Sequence, residues 1–149
     1  MILLDTPPRM SLGTVNALVA SHFYIVPTIL DRVSSEAVRP FLTQIESLKS
    51  DLELNLELAA IVGTMTRQDQ LTGSEPTYRD QILATAQEVL GAEKAYFAPR
   101  TLARKTVVTQ EDDLAYFLND DQRQLRDRFY DPLFDDLWQR IVSPQNRST

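Results

Sequence analysis

The chemistry of this chain is most legible at its start, in Ile2-Leu3-Leu4-Asp5-Thr6-Pro7-Pro8. An apolar run ending in an acid and a double proline reads as a buried parallel strand whose carboxyl end delivers one carboxylate to a crevice. Such a carboxylate either serves a ligand crevice or caps a turn, and on the residue alone the capping or turn acid is the favoured reading. The other reactive side chains offer less. His22 is the single histidine and stands just before a second apolar run, which suits a surface or strand-edge residue better than a catalytic base. Asp112-Asp113 and Asp135-Asp136 are adjacent acids, which point different ways on a helix and read as solvated rather than metal-ligating. There is no cysteine, so thiolate metal sites, cysteine nucleophiles and disulfides are excluded.

Composition narrows the class. At 149 residues, with 43% hydrophobic and 24% charged residues and four glycines, the chain has the length and make-up of one globular domain. A net charge of −6 argues against a basic nucleic-acid face over the whole chain. Arg79, Arg104 and Lys105, and the set Arg123, Arg126 and Arg128, read as solvated faces balanced by Asp120, Asp121, Asp127 and Asp131. No stretch approaches the roughly 18 consecutive apolar residues of a spanning helix, and no basic region precedes the first apolar run. The expectation is a cytoplasmic, untargeted protein without membrane association.

The elements that would position Asp5 follow in order. Ser11 caps a helix over about residues 12–21 with Leu12, Val15, Leu18 and Val19 on one face. Phe23-Tyr24-Ile25-Val26-Pro27 reads as a second buried strand closed by proline, its end facing the crevice of Asp5. Ser34 or Ser35 caps the next helix, which carries Val38, Phe41, Leu42, Ile45 and Leu48 as a stripe, with Pro40 marking a late start or a bend. Residues 51–57 alternate acids with leucines, a pattern open to an edge strand but read here as the approach to the buried strand 58–65. A polar loop, 66–75, leads to a helix with Pro76 in its first turn, Ile82, Leu83, Ala86, Val89 and Leu90 as its apolar face and Gly91 as its stop. Ala95-Tyr96-Phe97-Ala98-Pro99 is a short fourth strand and residues 100–110 a basic loop. A last helix starts at Asp120 or Asp121, breaks near Tyr130 and restarts at Asp131-Pro132 through Leu133, Phe134, Leu137, Trp138 and Ile141, packing on the sheet. The alternation predicts an α/β fold, a mostly parallel sheet with crossover helices, over residues 1–142, followed by a fraying tail, 143–149.

Three stretches carry a family resemblance: Ile2-Leu3-Leu4-Asp5-Thr6-Pro7-Pro8, Leu12-Gly13-Thr14-Val15-Asn16-Ala17-Leu18-Val19-Ala20 and Ile25-Val26-Pro27-Thr28. They resemble the Walker B strand and following segments of the ParA-type partition ATPases, relatives of the MinD group. Further on, Gly63-Thr64-Met65-Thr66 and Pro99-Arg100 resemble segments near the nucleotide base. The similarity runs over about residues 1–110 and is specific in the first 28. It implies a partial P-loop NTPase-like three-layer fold, ATP and Mg²⁺ as cofactors, Asp5 holding the metal through water, and Met65, Thr66, Pro99 and Arg100 near the base. For these last four, a plain strand end and a strand-terminating proline remain the alternative.

The departure from the family is as informative. Its phosphate-binding loop needs glycine followed by lysine, and none of Gly13, Gly63, Gly73 or Gly91 is followed by Lys. The expectation is the C-terminal half of such an ATPase, a truncated form that binds nucleotide weakly and does not hydrolyse ATP alone. The intact relative's role would be ATP-dependent segregation of plasmid or chromosomal DNA, with a centromere-binding partner and non-specific DNA contact. A second reading is a non-enzymatic interaction module that self-associates or pairs with a ParA-like protein or a separate N-terminal half, because the strand 2–4 is apolar on both faces and lacks its family neighbour. A misassigned start or interrupted gene is the third.

Overall fold

The computed structural model describes residues 1–7, 9–67, 70–103 and 126–142. The helix α1 (Leu12–Val19) begins where expected, with the Ser11 hydroxyl accepting from the Thr14 amide at 3.3 Å. Its buried face differs from the expected stripe. Thr14 and Leu18 face inward, while Leu12 is 78% exposed and Val19 is exposed as well. The Thr14 hydroxyl donates to the Arg9 carbonyl at 2.7 Å, which ties the helix start to the preceding turn and turns position 14 rather than 12 inward.

Strand β1 (Phe23–Ile29) pairs in parallel with β2 (Glu57–Thr66). It runs past Pro27, correcting the expected stop there. Among the described residues β1 has a strand neighbour only on the β2 side, and an edge position tolerates a residue without an amide donor. The helix α2 (Arg32–Asp51) is capped by Asp31, whose carboxylate accepts from the Ser34 amide at 2.7 Å, rather than by Ser34 or Ser35. The predicted stripe is the buried one, with Val38, Leu42 and Ile45 inside and Phe41 and Leu48 packed at its margin. Pro40 lies within the helix on its exposed side.

β2 is the central strand, and it carries a bulge. Tyr24 pairs with Leu58 but Ile25 pairs with Ala60, so Ala59 is the extra residue. An extra residue reverses which side chains face which layer. Leu56 and Leu58 before the bulge and Ile61 after it all join α2 and α3 (Glu75–Leu90) in one core, whereas Ala60 and Val62 face the other side. There they meet Leu133 of the C-terminal helix α4 (Asp131–Val142).

The helix α4 restarts at Asp131-Pro132, as expected, after a π-helical turn over Arg126–Tyr130. It is fastened by polar groups. Arg140 donates through Nε to the Ala59 carbonyl at 2.8 Å, satisfying the bulged residue, and its guanidinium stacks over the Tyr96 ring at 3.8 Å. The Tyr96 hydroxyl donates to Asp136 at 2.8 Å, so Asp136 is engaged rather than merely solvated, while Asp135 is exposed.

The strand expected at 95–99 is reduced to a single bridge between Ile61 and Phe97, and β3 (Leu102–Ala103) forms within the segment read as loop. Both lie parallel to β2, giving among the described residues a three-stranded, all-parallel open sheet in the order β1-β2-β3. With helices packed on its two faces this is an α/β fold consistent with a partial P-loop-like domain.

The strand expected at 2–4 is the main correction. Residues 1–7 have no regular structure, and Ile2 and Leu3 are 87% and 79% exposed. A run apolar on both faces is held only between two strand neighbours and two covering layers, and none of the described strands flanks this one.

Candidate functional site

In an open parallel sheet the ligand crevice lies beyond the carboxyl ends of the strands. Here that edge is built from the end of β2, the loop that follows it, and residues 97–101. β2 and residues 97–101 pack closely. A Cβ built on Gly63 would lie 2.8 Å from the Thr101 methyl and 3.3 Å from both Leu30 and Phe97, so only glycine admits this approach. At the strand end the hydroxyls of Thr66 and Thr101, both buried, meet at 3.4 Å, and Thr64 donates to the Thr28 carbonyl at 3.2 Å.

Between these anchored threonines, Met65 has φ +55°, the left-handed region, and its side chain is 54% exposed. For a non-glycine residue this conformation costs about 1–2 kcal/mol. Glu53 shares it, but Glu53 follows the end of α2, where helices commonly terminate in this way. Met65 sits inside a strand, where no helix end requires it.

The residue after Thr66 is held by a carboxylate the sequence reading did not single out. Glu75 is buried, and its two oxygens accept at 2.8 Å from the amides of Arg67 and Thr72, with the Thr72 hydroxyl at 3.4 Å. Burial alone would push this carboxyl's pKa up. The backbone donors of Thr72 and Arg67, the Thr72 hydroxyl and the charge of Arg67 outweigh it and hold the group below its ordinary value. The sequence carries a signal for it: Thr72 and Glu75 have capping-box spacing, in which the acid reaches back to the amide three residues earlier.

The residues expected at the site divide accordingly. Met65 and Thr66 lie at the end of β2, and Pro99 and Arg100 are exposed in the connection between Phe97 and β3, which pairs with β2 at Thr64 and Thr66. Asp5 lies in the exposed segment 1–7, outside the sheet. Arg79 pairs with Asp80, and Arg126 with Asp127 and Asp131, so these cations are balanced by acids as expected. His22 is exposed. Arg104, Lys105, Asp112, Asp113, Asp120, Asp121 and Arg123 lie outside the described residues.

The side chains gathered at this edge are of mixed character, the exposed Met65 beside buried threonine hydroxyls. An exposed apolar side chain beside polar groups can meet the face of a flat, partly apolar ligand. For metal and phosphates the fit fails: no group of three potential ligands gathers among the described residues, and no glycine precedes a lysine. No helix among the described residues is long and apolar enough to cross a membrane.

Comparison with known proteins bears on the start of the chain. A family model described as an AAA domain matches residues 1–58. Over 65 residues the chain is 35% identical to the chromosome-partitioning ATPase Soj of Thermus thermophilus, a match covering 44% of this chain and 26% of that relative. The match thus spans about a quarter of the curated relative's length. No solved structure matches.

Proposed function

We propose that this chain, whose matches support a ParA-like family, carries the base side of a partitioning-ATPase nucleotide site. Met65, Thr66, Pro99 and Arg100 form that side, and Asp5, outside the sheet in this structure, would serve water-mediated Mg²⁺ only in the complete assembly. The observation that carries the reading is the meeting of the β2 end with residues 97–101, sealed at Gly63 and joined at Thr66 and Thr101. In this reading ATP and Mg²⁺ are the ligands, and DNA segregation with a centromere-binding partner is the role of the complete assembly. The family's ATPase activity requires phosphate contacts that this sequence does not contain, so residues 1–149 alone bind nucleotide weakly and do not turn it over. A malachite-green assay of the purified chain with Mg²⁺-ATP is expected to give no phosphate above buffer, and sustained release would overturn this.

A second reading, an interaction module that pairs with another ParA-like chain, is favoured by one observation. The outer edge of β1 has no strand neighbour among the described residues, and the apolar Ile2 and Leu3 are in solvent. Size-exclusion chromatography with light scattering tests it. A concentration-dependent dimer supports association, and a monodisperse monomer removes it.

A further inference from the structure

We infer that Glu75 is a positioning residue: by bridging the Arg67 and Thr72 amides it fixes the turn that presents Met65 at the carboxyl edge of the sheet. The inference rests on the base-side reading above for the identity of the ligand, but its geometry stands apart from that reading. Met65 is in the left-handed region and exposed, and on its Thr64 side the threonine hydroxyl donates to the Thr28 carbonyl at 3.2 Å. On the Thr66 side the constraint is the hydroxyl pair with Thr101. One residue further, the Arg67 amide is bound to the Glu75 carboxylate at 2.8 Å.

A left-handed residue in a strand persists only when its surroundings over-determine it, and such positions gather where a ligand is to be met. Glu75 supplies one of those restraints, beside the bonds of Thr64 and Thr66. It is rigid for two reasons: it is buried at the start of α3, where the helix dipole favours negative charge, and the Thr72 amide and hydroxyl occupy its second oxygen. Without the carboxylate, the Arg67 and Thr72 amides lose their acceptor, and among the described residues only the backbone bond from the Glu75 amide to the Thr72 carbonyl still joins Thr72 to the helix start. Met65 is then free to relax toward ordinary extended backbone, which redirects its side chain.

The test uses the full chain labelled with ¹³C at the methionine methyls, titrated with adenosine, together with amide exchange. In the wild type, adenosine should shift the Met65 methyl resonance. Glu75→Gln, which keeps the shape but loses the charge, should raise exchange at Arg67 and Thr72 about tenfold, move the Met65 resonance before any ligand is added, and weaken adenosine about fivefold. Exchange at Ile61 and Val62 should not change. Glu75→Asp, one methylene shorter, should expose one of the two amides and not the other.

Unchanged exchange at Arg67 and Thr72, or faster exchange with an unmoved Met65 resonance and unchanged adenosine affinity, overturns the positioning role. A wild-type Met65 that ignores adenosine refutes the base-side reading by itself. Glu75 is then judged on the ligand-free Met65 shift, which supports positioning if it moves in Glu75→Gln and refutes it if it does not.

Discussion

Residues 2–4 and residues 58–65 are apolar runs of the same kind, and both read as buried parallel strands. One lies in solvent and the other is the centre of the sheet. The difference is in their neighbours. β2 has β1 on one side, Phe97 and β3 on the other, α2 and α3 over one face and α4 over the second. The N-terminal run has none of these among the described residues. A second contrast runs the opposite way, because the family match lies over residues 1–58 and takes in only the start of β2. The matched stretch thus joins an exposed N-terminal run to packed core elements, since α1, β1 and α2 lie within it while most of β2 lies beyond it.

The largest effect expected from that comparison is at Ile61, fully buried at the centre of β2. Ile61→Ala should destabilise the chain by about 2–5 kcal/mol in denaturant unfolding, from lost transfer energy plus a cavity that the bulged strand cannot close. A cost below about 1 kcal/mol would mean that β2 is not the organising strand.

Next is the clamp on the opposite layer. Arg140→Met keeps most of the stem but leaves the bulge carbonyl of Ala59 without its donor and Tyr96 without its cation. The expected loss is about 1–3 kcal/mol, with increased proteolysis in α4. No loss would show that α4 is held without Arg140, by Leu133 with its apolar neighbours and by the Tyr96–Asp136 bond.

What the sequence disclosed and what it hid follow one division. Helix α2 was legible because a stripe at helical spacing is a local pattern, and so was β2, a long apolar run bounded by polar loops. The Asp31 cap was missed in favour of the serines nearer the stripe, and the true start adds a turn before it. The bulge at Ala59 and its satisfaction by Arg140 were not legible, because they join residues 81 positions apart. Of the site, Met65, Thr66, Pro99 and Arg100 came from a resemblance. The left-handed backbone at Met65 and the Glu75 clasp needed the structure, although the capping-box spacing of Thr72 and Glu75 was there to be read.

pH separates the two fastenings of β2. Glu75 has its folded pKa held down, so its contribution is complete above the unfolded carboxyl value and is lost as pH falls through the lower folded value. The Tyr96 hydroxyl behaves oppositely. Burial first, then its bond to Asp136 and that residue's charge, push its pKa up to about 12 against the opposing pull of Arg140. Its contribution is complete below the ordinary tyrosine value of 10.0 and is lost as pH rises toward about 12. Amide exchange should therefore loosen first at Arg67 and Thr72 on acidification and first in α4 on alkalinisation. Loosening in the reverse order would break the assignment of these groups to their ends of the strand.

The smallest effect is expected in the exposed run at the start of the family match. Replacing both Ile2→Ser and Leu3→Ser removes two apolar side chains that meet almost nothing, so unfolding free energy should change by no more than about 0.5 kcal/mol. The same pair of substitutions at buried positions of β2 would abolish folding. If the N-terminal run is kept apolar for a partner, the double variant should leave stability untouched and reduce association in light scattering, separating the two quantities in one protein. A loss above about 1 kcal/mol with no change in association would instead mean that residues 2–4 pack within their own chain, and the distinction between the two apolar runs would fall.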